Sequence, residues 1–286
     1  MNAEQKKIAL VVHACDRYEM LFPGFEHFFR KFWPATDGVS FYFFTEQIAG
    51  PSRFFQNIKT GRGDWSDRLR RGLGQLAEPR VIYLQEDMWF NQPVNPKVLG
   101  DVLAFSLAEE LLLLKLHSSE VYQTRPTHQL IGGLRVAKLD NRHSKFLMSH
   151  QPSVWNREFF ISQLNRNEHP WRNERAATRR LKKLDPPLYQ IDLLAENGKP
   201  PINDNVSNEF RSEYQSVSVN GRLNANARPF IGELMKSDDP DLSAYGRRLQ
   251  HHFVHQITHD GLPPPKKTGA FKKYFSFLSW RRPEEN

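Results

Sequence analysis

The chain has 286 residues, 39% of them hydrophobic, and carries 40 Lys plus Arg against 32 Asp plus Glu, a net charge of +8. That length and apolar content support one large domain, or a main domain with a small appendage, and exclude disorder throughout. No apolar run approaches the roughly 20 residues of a membrane span, and the single cysteine, Cys15, excludes an internal disulfide or a cysteine-rich zinc site, in keeping with a reducing, cytoplasmic compartment. The opening MNAEQKKIALVVHAC breaks at His13 and Asp16, so it reads as a buried first strand and not as a signal peptide.

Residues 7–14 (KIALVVHA) fit a strand buried on both faces, and Cys15, Asp16 and Arg17 follow as a ligand-facing loop. Leu21, Phe22, Phe25, Phe28, Phe29 and Phe32 then recur at helical spacing over 18–33, ended by Pro34. Residues 39–45 (VSFYFFT) predict a second strand, 65–77 a helix that Asp64 caps, and 80–84 a third strand running into Glu86 and Asp87. This βαβαβ order predicts an α/β fold with an open, mostly parallel sheet whose ligands bind beyond the carboxyl ends of its strands. Three polar clusters fall at such ends: Asp16-Arg17, Thr45-Glu46 and Glu86-Asp87.

Further along, 96–115 reads as a helix with its Leu run packed inside, 129–136 as a strand bent by Gly132 and Gly133, and 157–164 as a helix followed by a loop. After Leu184, paired prolines and many Asn and Ser suggest loops draped on the core, dividing the chain into 1–185, an extension over 186–262 and a tail over 263–286. His251, His255 and His259 fall at i, i+4, i+8 on one helix face; no carboxylate or thiolate joins them, so packed or solvated histidines are favoured over zinc. The tail combines Lys266, Lys267, Lys272, Lys273, Arg281 and Arg282 with Phe271, Tyr274, Phe275, Phe277, Leu278 and Trp280. Such a segment docks on an anionic membrane surface, folds back on the domain or stays disordered, and all three readings remain open.

The most informative stretch is VIYLQEDMWF, an apolar strand opening onto adjacent carboxylates, the way many sheet proteins present a metal-phosphate site. The plainer alternative is that Glu86 solvates a turn while Asp87 caps the next segment. The ordered set VVHACDRYEML, FRKFWP, FYFFTE, GDWSDRLRRGL and VIYLQEDMWF resembles a bacterial family of GT-A-type glycosyltransferases that make surface polysaccharides, over roughly residues 7–175. The resemblance implies a GT-A-like, Rossmann-like fold, a nucleotide-sugar donor bound by the N-terminal half, and a glycan or lipid-linked acceptor engaged by the second half. Asp16 and Arg17 resemble the position that reads the base and ribose, with a structural ion pair as the alternative. Asp64, Trp65, Ser66 and Arg68 occupy the family's donor-contacting helix start, where an N-cap with a buried Trp anchor is the alternative.

Asp87, with Glu86 beside it, would hold a divalent cation, Mn or Mg, that neutralises the departing diphosphate. The spacing departs from Asp-x-Asp, since Gln85-Glu86-Asp87 is followed by Trp at 89, and some GT-A enzymes use basic side chains instead. On the acceptor side, which the segment SHQPSVWNREFFISQLNRNEHPWRNE resembles, Glu174 is the candidate base of an inverting reaction, His150 and Gln151 would hydrogen-bond a sugar, and Trp155 and Trp171 would stack on it. Glu174 has a second reading as salt-bridge partner of Arg172 and Arg175. The rivals are a degenerate transferase kept as an assembly partner and a non-catalytic binder of glycan or nucleic acid. Nucleic acid is disfavoured because the carboxylates fall where they would repel its backbone. The expected place is the cytoplasm, peripheral to the inner face of the membrane if the tail docks there.

Overall fold

The computed structural model describes residues 7–36 and 38–263. In chain order the elements are β1 (Ile8–His13), a 3-10 turn (Asp16–Leu21) running into α1 (Phe22–Phe32), β2 (Val39–Thr45), β3 (Gln56–Lys59), α2 (Trp65–Leu73), β4 (Arg80–Gln85), β5 (Met88–Phe90) and α3 (Pro96–Ala108). There follow β6 (Leu113–Lys115), β7 (Thr124–Ile131), β8 (Leu134–Leu139), β9 (Ser153–Asn156), α4 (Arg157–Ser162), α5 (Pro170–Leu184), β10 (Tyr189–Gln190) and β11 (Leu194–Glu196). The chain closes with β12 (Ser212–Ser216), β13 (Ser218–Val219), β14 (Arg222–Leu223), α6 (Arg228–Met235) and α7 (Pro240–His255).

Alternation along the first strands divides the core in two. Leu10, Val12, Phe43, Ile82 and Leu84 face one side, where α1, α3, α6 and α7 cover them; Ala9, Val11, Phe44, Val81 and Tyr83 face the other, under α2, α4 and α5. The nine-stranded sheet runs β3-β2-β1-β4-β9-β6-β10-β8-β7, and only β3, β2, β1 and β4 form the expected parallel block. β9 is antiparallel to both β4 and β6, and β8 is antiparallel to both β10 and β7. The sheet is therefore mixed, a correction to the mostly parallel expectation. A second sheet, β11-β12-β5, brings the segment after Glu86-Asp87 against strands from the far part of the chain.

Other expectations are corrected for local reasons. Gly132 and Gly133, both at positive φ (57° and 82°), make the two-residue turn of the β7–β8 hairpin instead of bending one strand. The helix expected to reach 115 stops at Ala108, where Glu110 turns left-handed (φ 48°), and the Leu run enters the sheet as β6. The chain after Leu184 supplies β10 to the central sheet and two helices, more regular than draped loops. His259 lies beyond the end of α7, so it shares no helix face with His251 and His255. No described helix is long and apolar enough to cross a membrane, and the tail from residue 264 onward lies outside the described residues.

Candidate functional site

β1 and β4 run side by side and end in register, His13 against Gln85, and both side chains line a cleft of about 500 Å3 at their carboxyl ends. Glu86 and Asp87 form the turn from β4 into β5 and line the same cleft. The turn is fixed through its backbone: Trp89 Nε1 donates to the Glu86 carbonyl (3.1 Å) and the Val217 amide to the Asp87 carbonyl (2.9 Å). Both carboxylates are therefore presented by a locked main chain. Burial pushes the pKa of Glu86 well up, reinforced by the Asp87 charge; burial also raises Asp87, helped by Glu196.

Cys15, Tyr18, Trp65 and Arg68 of α2, Gln151, Pro170 and Trp171 also line the cleft, with Ser216, Ser218, Val219 and Asn220 from the far part of the chain. The buried Arg68 guanidinium donates to the Ala14 carbonyl (3.0 Å) and stands 3.4 Å from Glu46, whose Oε1 also accepts from Cys15 Sγ. His13 is buried, and neither ring nitrogen has a hydrogen-bond partner. Burial, Arg68 and His150 hold its pKa well below the ordinary histidine value, so the ring is neutral near pH 7. A buried, unpaired polar ring at a cleft surface is a costly feature unless a ligand completes it.

Gln151 also lines a second, smaller cavity of about 170 Å3, together with His117, Tyr122, Ser149, Glu174 and Glu196. Glu174, in the first turns of α5, accepts the His150 amide on Oε1 (3.2 Å). Burial raises its pKa, while that amide, Lys115 and Arg175 oppose the rise. Lys115 of β6 is fully buried; its Nζ donates to Ser149 Oγ (2.8 Å) and lies 4.6 Å from the Tyr122 ring centroid. Tyr122 in turn donates to Ser149 (2.9 Å), and Tyr214 donates to Gln151 Oε1 (2.6 Å).

The sequence-predicted residues thus divide. Trp65, Arg68, Glu86, Asp87, Gln151 and Trp171 meet in the main cleft, and Glu174 joins Gln151 in the cavity beside it. Asp16 is spent on the loop after β2, its carboxylate accepting the amides of Glu46, Gln47 and Ile48. Arg17 pairs with Asp260 at 2.7 Å and lines a neighbouring cleft. Neither lines the main cleft. Asp64 precedes α2, but its side chain caps nothing, and Ser66 is buried with its Oγ accepting the Glu168 amide (3.1 Å). Trp155 lies wholly in the core, stacked on Phe160 at 4.4 Å, so its faces are closed to a sugar. His150 is buried, its ring 4.2 Å from that of Trp65.

Sequence reasoning placed Glu46 at a strand end without giving it a role and passed over His13, Tyr18 and Lys115; a lysine inside a Leu run was the one signal for the last.

Glu86 and Asp87 offer two hard oxygen donors, and among the described residues no group of three potential metal ligands converges. A Mn or Mg ion that completes its shell with a substrate's phosphate oxygens and water fits this pair.

No family model and no curated protein matches the chain. Among solved structures it is similar to S. aureus TarS, at 10% identity and TM-score 0.44, over 87% of this chain and 43% of that one. It is also similar to TarS residues 1–349 in complex with UDP-GlcNAc (10%, TM-score 0.46, 87% and 72% covered) and to CMP:2-keto-3-deoxy-manno-octonic acid synthetase complexed with CTP (14%, TM-score 0.40, 64% and 88%). The chain spans less than half of the first TarS structure's length, and no functional assignment follows from likenesses of this degree.

Proposed function

We infer that the protein is a nucleotide-sugar-dependent glycosyltransferase acting on a glycan or lipid-linked acceptor. The observation that carries the reading is the locked Glu86-Asp87 turn: two adjacent carboxylates, their ionisation opposed by burial, lining a cleft at the carboxyl ends of parallel strands. Such a pair is stabilised in its ionised form by a cation, and the cleft is large enough for a small-molecule ligand. The resemblance over residues 7–175 supports the same conclusion.

In this reading Asp87 and Glu86 hold a Mn or Mg ion, which supplies the positive charge that stabilises the departing nucleoside diphosphate. Arg68 and the neutral His13 ring face the donor, and Trp65 and Tyr18 wall its cleft. Glu174 is the base of an inverting transfer: the His150 amide fixes one oxygen, and the other would take the proton of an acceptor hydroxyl. As that oxygen attacks the anomeric carbon, the bond from carbon to the diphosphate breaks, its electron pair leaves with the diphosphate, and the hydroxyl proton passes to Glu174. Trp171, at the cleft mouth and 61% exposed, offers a ring face to the acceptor.

Calorimetry with UDP, GDP, CMP, dTDP and their sugar conjugates, with and without Mn, tests the assignment. One nucleotide class should bind with metal-dependent affinity, and Asp87→Asn should weaken it by at least about tenfold while leaving the thermal transition in place. A folded protein that binds none of them, or an Asp87→Asn variant with native affinity, would remove the reading.

A further inference from the structure

Part of the chain's basic excess lies on a helix face that the proposed reaction does not use. α5 buries Asn173, Ala177, Thr178 and Leu181 against the core. At about 100° per residue, Arg172, Arg175, Arg179, Lys182 and Lys183 fall on the opposite side within an arc of roughly 100°. Four of the five are exposed and Lys182 is half-buried. Among the described residues none forms a salt bridge; Lys182 Nζ donates to the Arg142 carbonyl (3.2 Å), which brings another exposed cation to the row's edge. The nearby carboxylates are engaged elsewhere: Glu174 lines the inner cavity, and Asp185, in the helix's left-handed cap, accepts Asn141. Trp171 stands at the start of the row and lines the main cleft.

We propose that this outer face of α5 docks the protein on an anionic lipid bilayer, holding the mouth of the cleft at the membrane surface. Charge complementarity selects the occupant, since the five cations share an arc of α5 that holds no carboxylate, Glu174 falling outside it and lining the inner cavity, and a convex helix of 15 residues meets a planar surface along about 22 Å. The exposed Trp171 ring suits the headgroup boundary, where amphipathic rings sit. Single-stranded nucleic acid would call for rings interleaved along the row, and this row has one ring, at its end. The surface is separate from the basic tail and does not depend on the reaction proposed above.

Co-sedimentation of the full-length chain with phosphatidylcholine vesicles, plain or one-third phosphatidylglycerol, tests this. The measurement is made on the native chain and on one with Lys266, Lys267, Lys272 and Lys273 replaced by Gln, so that the tail neither masks nor mimics the effect. In both, adding Arg172→Gln, Arg175→Gln and Arg179→Gln should lower partitioning onto anionic vesicles by about a hundredfold, the worth of three cations at such a surface, with the melting temperature unchanged. Undiminished partitioning of the triple variant in either background would overturn the proposal. So would equal binding of the native chain to neutral vesicles, or a triple variant that loses single-stranded RNA while keeping anionic vesicles.

Discussion

Lys115 carries a charge in a place that strongly disfavours it. Burial outweighs the opposing pull of the Glu174 carboxylate and takes the Lys115 pKa down to about 7. The influence is mutual, because the same ammonium holds Glu174 below where burial alone would put it. If Glu174 is the base, it works only when ionised, so the acidic limb of kcat/KM against pH follows its pKa. Lys115→Met keeps the volume and removes the cation. Glu174 should then protonate more readily, and the limb should move towards alkaline pH by about one unit. The fold should survive, since the apolar chain removes the cost of burying an ammonium and Glu174 keeps the His150 amide. A limb that stays in place in the folded variant would separate Lys115 from the base.

At the scale of elements, α1, β5 and α7 meet at Gly24. Its amide donates to the Tyr245 hydroxyl (3.1 Å), which itself donates to the Met20 carbonyl (2.8 Å), and a Cβ there would overlap the ring of Trp89. Gly24→Ala gains up to about 1 kcal/mol in helix propensity. Trp89 is fully buried and cannot swing aside, so overpacking, about 1–3 kcal/mol, should outweigh it. The urea midpoint should fall at constant m-value; an unchanged midpoint would show that the ring gives way. Trp89 also holds the Glu86 carbonyl, so the packing of three elements supports the turn. The sequence showed this half of the molecule well. Period and composition placed β1, α1, β2, α2 and β4, and the switch from apolar to acidic after Leu84 marked the turn. The rest was hidden for physical reasons. Gly132-Gly133 is compatible with a bend or a hairpin until the partner strand is known, and a Leu run favours helix locally although β9 and β10 make it a strand. Asp16, Ser66 and Trp155 have the right chemistry for ligands, but their partners, the 46–48 amides, the Glu168 amide and Phe160, are set by tertiary structure.

For the whole molecule, the carboxylate pair should write itself into the pH dependence of stability. A carboxyl raised in the folded state keeps a proton that the unfolded chain has lost, so its contribution is complete below the ordinary carboxylate range and disappears as pH rises through the folded value. Glu86 and Asp87 therefore weaken the fold as pH climbs towards and past neutrality. The total slope is not theirs alone. Buried His13, His117 and His150, all held low, favour the fold as pH rises through the ordinary histidine range, and Lys115 does so above about 7. The informative quantity is thus a difference. Glu86→Gln removes one titrating carboxyl and leaves the histidines and Lys115 in place, so its stability advantage over the native chain should widen from pH 5 to pH 8, as denaturation at each pH would show. Manganese should narrow that gap, because it binds the ionised pair of the native chain and stabilises it most where protons compete least. A gap constant with pH would mean that Glu86 ionises as freely as an exposed carboxylate. A gap that widens but ignores manganese would keep the burial argument and remove the cation from the site.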